Sequence, residues 1–272
     1  MSGNDLPRVA ALLPTWNSAL FIENTLESLA AQHYANFEVI ISDDASTDNT
    51  VEICERFIAL HPRFRLIRQV RQHGWIGNAN LLLQQAKAHF VFFAFHDDPL
   101  KPKYVTSLVE ALQKNSRAVL AFSDVESGPT VKSYTLLDGV EDRVERARRL
   151  IHKEGLWWIP NRGLLRLEAG RQIGGMRRHF AGEYSADWPW LLGLSLLGEF
   201  VRVPEALITK VWRTEGLSTS WKGTPWQAVG VATSCAREIA RAPITASERI
   251  LLYRELALRQ TGGLLSRLPE MR

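Results

Sequence analysis

Short apolar runs alternate with segments of helical periodicity along the first half of the chain. The runs have the length and composition of buried strands, and they fall at residues 9–13, 37–41, 64–70, 91–95 and 118–122. Between them, apolar residues recur at helical spacing over residues 19–32, 51–60, 74–88 and 103–115. Strands and helices in regular alternation predict an α/β fold, with a mostly parallel central sheet flanked by helices and joined by right-handed crossovers.

The alternation becomes irregular in the second half. The pattern there predicts a loop or hairpin over residues 125–140, a helix over 141–152 and a turn between apolar runs over 157–167. A second helix over 188–198 and two strands over 200–203 and 207–212 follow. From residue 227 onward it predicts two helices that are separated near Pro243. We therefore expect one domain over residues 1–220, divided into a regular half (1–124) and an irregular half (125–220), and a C-terminal helical extension over residues 221–272.

Two adjacent carboxylates follow the most apolar strand. Residues 91–95 contain three Phe, and the next residues are His96-Asp97-Asp98-Pro99. Open α/β sheets bind ligands at the carboxyl ends of their strands. Neighbouring carboxylates repel each other unless a cation or a shared proton intervenes, and a hard divalent ion carried in with a phosphate group supplies such a cation. A solvated Asp-Asp-Pro turn accounts for the same residues without a ligand, so both interpretations stay open.

Composition narrows the class of protein. The 272 residues are 46% hydrophobic and 23% charged, which is ordinary for a globular domain. No apolar run is long enough to cross a bilayer, and the N-terminus lacks a secretory signal pattern, so we expect a cytoplasmic protein. Two distant cysteines indicate neither a disulfide framework nor a zinc site. No nucleic-acid-binding module accompanies the net charge of +4.

Basic and aromatic residues are concentrated in the second half. The arginines between residues 143 and 178 suit phosphate, an anionic membrane or an acidic glycan, but they also suit a solvated helix face with glutamate partners. Aromatic faces bind sugar rings, although most aromatic residues are core, and the candidates for an acceptor platform are Trp157, Trp158, Trp188 and Trp190. The last helix is amphipathic, which leaves packing on the domain, oligomer contact and contact with the inner face of the cell membrane open.

Several polar motifs occur in one order and spacing over about the first hundred residues. They are Pro14-Thr15-Trp16-Asn17, Gln32, Asp43-Asp44-Ala45-Ser46-Thr47-Asp48-Asn49-Thr50, Gly74 with Asn78-Ala79-Asn80, and His96-Asp97-Asp98. In order and spacing, this set resembles the family-2 glycosyltransferases of GT-A fold. The second half matches more loosely, through Ala186-Asp187 and Trp212-Arg213. The glycine-rich signatures of dinucleotide-binding and P-loop proteins are absent from the sequence.

The resemblance implies an inverting transferase that takes a sugar from a nucleotide diphosphate donor. It further implies a saccharide or lipid-linked acceptor in the synthesis of bacterial surface polysaccharide or glycolipid. Asp44, or failing that Asp43, is expected to accept a hydrogen bond from the base, which favours a UDP- or dTDP-sugar because a carboxylate suits an imide N–H. The expected nucleotide-sugar-binding residues are Pro14, Thr15, Asn17, Asp43, Asp44, Asn78, Asp97 and Arg213.

The resemblance also implies a metal site and a general base. Asp97 and Asp98 occupy the family's metal motif and are expected to hold Mn²⁺ or Mg²⁺, although Phe95 stands where the fuller motif has a further acid. Asp187 is the expected base, with Glu183 in reserve, while helix capping is the alternative role for Asp187. A non-catalytic glycan- or nucleotide-binding relative and a nucleotidyltransferase are the alternative functions.

Overall fold

The computed structural model describes residues 6–95, 98–211 and 223–265 of the chain, with side chains described to residue 260. Within these ranges, eight strands form one sheet, and their bounds are β1 Val9–Thr15, β2 Phe37–Asp43, β3 Phe64–Arg68, β4 Phe90–Phe93, β5 Ala118–Ser127, β6 Thr130–Lys132, β7 Leu164–Arg166 and β8 Glu199–Thr209. This confirms the predicted sheet, and each of the five strands expected in the first half is present.

Helices flank the sheet and complete the described part of the chain. Their bounds are α1 Ile22–Ala30, α2 Thr50–Ile58, α3 Gly74–Gln85, α4 Tyr104–Lys114, α5 Arg143–Ile151, α6 Leu167–Ile173, α7 Asp187–Leu197, α8 Pro225–Arg241 and α9 Ala246–Leu265, with one 3₁₀ turn at Ile159–Arg162. Within the described ranges, none of these helices has the length and apolar character needed to cross a membrane.

The strand order is β3-β2-β1-β4-β7-β5-β6, and β8 pairs with β5 on a separate edge. Strands β1 to β4 are mutually parallel, and β8 is parallel to β5. The sequence pattern missed that β7, from the irregular half, lies between β4 and β5 and runs antiparallel to both. Because β7 is antiparallel to both of its neighbours, β5 runs in the same direction as β4.

One long strand, β8, replaces the two short strands predicted near residues 200 and 210. Ser123 pairs with Val203 and Asp124 pairs with Ala206, so Pro204 and Glu205 have no partner in the ladder. A bulge of this kind accommodates a proline, which has no N–H to donate. The proline therefore bends the strand where the sequence pattern suggested that it ends.

The core explains why these runs form strands. The side chains of β1 from Val9 to Leu13 and of β4 throughout are buried, as continuous apolar runs in a two-sided sheet must be. Phe92 of β4 stacks on Phe37 of β2 and packs edge-on against Tyr104 of α4. These contacts tie the sheet to the helix that follows the acidic loop.

Most arginines of the basic stretch bind the chain's own oxygen atoms. Arg166 donates to the carbonyls of Leu112 and Asn115 at the end of α4, and Arg171 donates to that of Ala86 at the end of α3. Helix C-termini leave carbonyls without intrahelical donors, and a guanidinium satisfies them with favourable charge. The glutamate partners that were expected on the helix face are present on α5, where Glu145 pairs with two arginines.

The two C-terminal helices pack on α5 and α7. Arg143 of α5 binds Glu248 of α9 through two nitrogens at 2.8 and 2.9 Å, and His152 lies 2.9 Å from Glu255. The side chain of Leu252 is fully buried in this contact. Packing on the domain is therefore one role of the last helix, as expected.

A buried amide fastens the carboxyl ends of β1 and β2 to α3. The Nδ2 of Asn78 donates to the carbonyl of Ser42 at 2.9 Å and lies 3.4 Å from that of Thr15. Its Oδ1 accepts from Gln69 at 2.8 Å. Asn78 therefore holds the strand ends that carry the first two polar loops.

We expect Asn78→Ala to lower the free energy of unfolding by about 2–3 kcal/mol, because buried carbonyl and amide groups lose their partners. Urea unfolding followed by circular dichroism measures this effect. Gln113→Ala, which removes an exposed amide from α4, is the control and should change stability by less than about 0.5 kcal/mol. Equal midpoints for Asn78→Ala and the wild type would contradict the role of Asn78 as a clamp.

Candidate active site

The first two polar loops meet at one edge of the sheet, as the parallel strands predicted. Thr15 pairs with Asp43 in the β1–β2 register, and the backbone N–H of Asp44 donates to the carbonyl of Thr15 at 2.9 Å. Pro14 and Thr15 end β1, and the buried hydroxyl of Thr15 has no hydrogen-bond partner within the described residues. An orphaned buried hydroxyl at a sheet edge is available to a ligand.

Asn17 and the loop after β2 form one hydrogen-bonded unit. Asn17 has a left-handed backbone, with φ of 45°, and its N–H donates to the Ser46 hydroxyl at 2.9 Å. Its side-chain oxygen accepts from the N–H of Thr47 at 2.9 Å. The two loops are thereby fixed against each other before any ligand arrives.

The two acids after β2 have different partners. Asp43 binds the hydroxyl and the N–H of Ser46. Asp44 accepts from the N–H groups of His73 and Gly74 at 2.7 and 2.8 Å, at the start of α3. Both carboxylates are almost fully buried. A carboxylate oxygen can accept more than one hydrogen bond, so these contacts leave acceptor capacity for a base.

Asp48, rather than Asp43 or Asp44, binds the backbone at the start of α2. The side chain of Asp48 accepts from the N–H of Thr50, the first residue of α2, at 3.0 Å, and this hydrogen bond contributes to a lowered pKa. Asp43 and Asp44 are therefore not needed to start α2. Asp44 does serve a helix start, but it serves that of α3.

Two cations hold Asp98, which follows β4 and is buried. Arg162 Nε lies 2.6 Å from Oδ2, and Lys210 Nζ lies 2.8 Å from Oδ1. The Arg162 guanidinium also lies over the rings of Phe95 and Trp158, 5.1 and 4.7 Å from their centroids. Phe95, which stands where the fuller motif has an acid, therefore forms one face of an arginine site.

The expected metal ligands are only partly within the described chain. His96 and Asp97 lie outside the described residues, and so do Trp212 and Arg213. Among the residues that the structure describes, no group of three His, Cys, Asp or Glu side chains is arranged to hold a metal ion. The metal-binding roles of Asp97 and Asp98 and the phosphate-binding role of Arg213 stay predictions.

Asp187 is the first residue of α7, and its carboxyl is held from the neighbouring 3₁₀ turn. Ala186 takes the N-cap position without a side-chain bond, while the carboxyl of Asp187 accepts from the backbone N–H groups of Asp187 and Trp188 in the first turn, so a role at the helix start stays open beside that of a base. Asn161 Nδ2 donates to Oδ2 of Asp187 at 3.0 Å. Burial of the carboxyl raises the pKa of Asp187, although the positive charges of Lys153 and Arg162 act in the opposite direction. A carboxyl with a raised pKa is better suited to accept a proton.

The reserve candidate is differently placed. Glu183 forms an ion pair with Arg178, with 2.6 Å between Oε1 and Nε, and Arg178 also donates to the carbonyl of His73. This pair lies beside Gly74, at the start of α3. Glu183 is thus held by a cation, whereas an amide holds Asp187.

Asn161 and Arg162 are functional candidates that the sequence pattern missed. They are consecutive in the 3₁₀ turn, and one contacts Asp187 while the other contacts Asp98. In the sequence, both belong to a Pro-Asn-Arg-Gly segment that resembles an ordinary turn. Only the long-range contacts distinguish them, because neither residue has a local signal of its own.

The four candidate platform tryptophans divide into two pairs. Trp188 and Trp190 are buried in the core, where Trp190 packs edge-on against Phe93. Trp157 and Trp158 are partly exposed. Trp157 also lies close to Trp188, with 6.1 Å between ring centroids. The aromatic side of the site is therefore formed by the segment between α5 and the 3₁₀ turn.

Solved structures of similar fold include two complexes with sugar nucleotides. Residues 1–349 of Staphylococcus aureus TarS, in complex with UDP-GlcNAc, align with a TM-score of 0.77 and 18% identity, over 97% of this chain and 76% of that one. The Pyrobaculum calidifontis mannosyltransferase PcManGT, in complex with GDP-Man and Mn²⁺, aligns with a TM-score of 0.60 and 16% identity, over 99% and 77% of the two chains. These likenesses confirm the GT-A fold.

Curated relatives match the chain over shorter segments. The GalNAc(5)-diNAcBac-PP-undecaprenol beta-1,3-glucosyltransferase of Campylobacter jejuni is 29% identical over 106 residues, which make up 39% of this chain and 34% of that protein. Among other relatives that match with similar strength, this chain spans 23% to 37% of the relative's own length. The sequence profile of glycosyl transferase family 2 matches residues 11–182, more than half of the chain. The chain therefore belongs to glycosyl transferase family 2.

Proposed function

We propose that this glycosyltransferase is inverting and moves a sugar from a UDP- or dTDP-sugar to an acceptor hydroxyl by direct displacement, with Asp187 as the general base. One observation carries the proposal. The 3₁₀ turn joins the carboxyl of Asp187, through Asn161, to Asp98 at the end of β4, through Arg162. The expected base and the expected diphosphate end of the donor site are thus connected by two consecutive residues.

The chemistry assigned to Asp187 follows from its surroundings. An inverting displacement needs one base that removes the acceptor proton as the hydroxyl attacks the anomeric carbon. The desolvated carboxyl of Asp187 has a raised pKa, and Asn161 fixes its orientation by donating to one oxygen. The other oxygen is then the one that accepts the proton.

The donor base is assigned to the acids after β2. Asp43 and Asp44 are buried beside the orphaned hydroxyl of Thr15, and their remaining acceptor capacity suits an imide N–H. The UDP-GlcNAc complex of TarS, which shares the fold, supports a uridine nucleotide. Pro14 and Asn17 then line the nucleoside, and Asn78 holds the loops that carry it.

A divalent metal at Asp97 and Asp98 is the cofactor that we propose. Carboxylate oxygens suit Mg²⁺ and Mn²⁺, and PcManGT, which shares the fold, binds Mn²⁺ with GDP-Man. When bound, the ion supplies positive charge to the leaving diphosphate. Arg162 and Lys210 each contact one oxygen of Asp98, so an ion held there would share the carboxylate with these two cations. The guanidinium of Arg162 has further N–H groups beyond the one that binds Asp98, and these suit the diphosphate oxygens.

For the acceptor, we propose a chemical class rather than a single compound. The Campylobacter jejuni relative is named for an undecaprenol-linked saccharide. We propose a saccharide or lipid-linked acceptor for this chain as well, in the synthesis of surface polysaccharide or glycolipid. Contact with the membrane stays part of this proposal.

A non-catalytic relative is the competing proposal, because Phe95 and Ala186 replace acids of the family pattern. A panel of UDP-, dTDP- and GDP-sugars with Mn²⁺ tests it, with release of the nucleoside diphosphate as the readout. We expect release from a UDP- or dTDP-sugar. Binding of nucleotide without release from any donor would favour the non-catalytic protein.

We expect Asp187→Asn to lower turnover by about 10²- to 10⁴-fold, the usual scale of a general base, while donor affinity stays nearly unchanged. Glycosyl transfer is measured by nucleoside diphosphate release, and donor affinity by calorimetry. Glu183→Gln is the matched control and should retain most of the activity, because Glu183 already pairs with Arg178. Wild-type turnover in Asp187→Asn would exclude Asp187 as the base.

We also expect two variants to distinguish the contribution of the metal to UDP affinity from the contribution of Arg162. Asp97→Asn should remove the increase in UDP affinity that Mn²⁺ gives. Arg162→Gln should lower the affinity for UDP by about tenfold both with Mn²⁺ and with EDTA, because one charge-assisted contact with the diphosphate is lost in either case.

Calorimetric titration with UDP provides the affinities for both variants. Arg68→Gln, which removes an exposed arginine that pairs with Glu55, is the control and should bind UDP as the wild type does. An Asp97→Asn protein with full Mn²⁺ dependence would remove Asp97 from the metal site. An Arg162→Gln protein with unchanged affinity would show that Arg162 serves only to hold Asp98.

A further inference from the structure

A lysine lies between two tryptophans next to the proposed base. Lys153 follows α5 and has a left-handed backbone, with φ of 52°. Its Nζ lies 4.5 Å from the ring centroid of Trp157 and 4.1 Å from that of Trp188. Trp188 directly follows Asp187, so the lysine is positioned by the same helix start that positions the base.

A second cation lies on the same indole. Arg259 of α9 has its guanidinium carbon 4.3 Å from the ring centroid of Trp188, and it also donates to the carbonyl of Ile151. Burial, with the positive charge of Arg259, lowers the pKa of Lys153 to about 8. Two cations that share one aromatic ring in a desolvated place raise each other's free energy.

Neither of these cations forms an ion pair with a carboxylate among the residues that the structure describes, although the carboxyl of Asp187 faces Lys153. Other basic side chains nearby are paired, as Arg143 is with Glu248 and Arg177 with Glu238. Lys153 and Arg259 both keep part of their surface exposed. Two desolvated cations that face one carboxylate leave positive charge that a further anion can neutralise.

We propose that Lys153 and Arg259, framed by Trp157 and Trp188, bind an anionic group of the acceptor, either a carboxylate or a phosphate. This inference rests on the proposed function, because it takes Asp187 to mark the acceptor side of the site. The tryptophan faces contact the sugar ring, and the two cations hold the anion with charge-assisted hydrogen bonds. The acceptor is accordingly an acidic or phosphorylated saccharide.

The competing explanation is that the stack of cations and rings only fastens α9 to α5. That attachment already has two other polar contacts, between Arg143 and Glu248 and between His152 and Glu255. A structural role predicts that loss of the lysine destabilises the fold. An anion site predicts instead that Lys153→Met folds at least as stably as the wild type, because a desolvated cation that is repelled by Arg259 is removed.

The test uses two pairs of probes on the full chain loaded with UDP and Mn²⁺. Methyl β-D-glucuronide and glycerol 3-phosphate carry the anion, and methyl β-D-glucoside and glycerol are their neutral counterparts. Ligand-observed NMR titration gives the dissociation constants. We expect at least one anionic probe to bind tenfold or more tightly than its neutral counterpart, and the two arms identify the anion as carboxylate or phosphate.

Substitutions at Lys153 and Arg259 test whether these residues cause the preference for anionic probes. Lys153→Met and Arg259→Met should each remove most of the anionic preference, by about tenfold, and leave the neutral probes unchanged. Lys114→Met, which removes an exposed lysine of α4, is the control and should keep the preference. Urea unfolding of the same variants shows whether they fold as stably as the wild type.

The pH dependence is a further readout. Lys153 is faced by Arg259 from α9, Asp187 from α7 and Cys235 from α8. Lys153 is charged below its pKa, so anion affinity should fall as the pH rises through about 8, while Arg259 keeps its charge. The affinities of the neutral probes should not change over this range.

Two results would overturn the inference. One is equal affinity for anionic and neutral probes. The other is a Lys153→Met protein that loses stability and keeps the preference. Release of nucleoside diphosphate from a donor, measured on the same sample, separates this failure from that of the proposed function. Donor turnover without anion preference rejects only the acceptor assignment, whereas anion preference without turnover rejects the proposed catalysis.

Discussion

The buried carboxylate of Asp98 is the contact on which the arrangement of the site depends. A carboxylate this deeply buried needs cationic partners, and Arg162 and Lys210 provide them from segments that are far apart in the sequence. The ion pair with Arg162 holds the 3₁₀ turn against the end of β4. The same turn then brings Asn161 to Asp187. The proposed base and the proposed donor site are thus aligned by one electrostatic contact and the short turn that makes it.

The first half of the chain was predictable because its information is local. Continuous apolar runs fixed β1 to β5, and parallel pairing then required the polar loops after β1 and β2 to meet. The rest depends on distant partners. Strand β7 has three residues, too few for any periodicity, and it is recognised only by its pairing with β4 and β5. The roles of Asn161 and Arg162 follow from contacts with residues 26 and 64 positions away.

Departures from a sequence motif have a different meaning once the neighbours are known. From the sequence, Phe95 is a missing acid. In the structure its ring supports the guanidinium that binds Asp98, so an apolar residue contributes to an ionic site. The basic stretch shows the converse. Arginines that suggested a phosphate or membrane surface are largely engaged with helix ends and glutamates.

The position of β7 has a consequence for how the protein is made. On the ribosome, β1 to β5 are all synthesised before residues 164–166, yet β4 and β5 have no contact in the ladder until β7 is inserted between them. Until then, two apolar strands present open edges, which invite pairing with other chains. The regular half of the chain, residues 1–124, therefore depends on β7 to join β4 to β5. A fragment that ends at residue 124 would lack the strand that closes its own sheet.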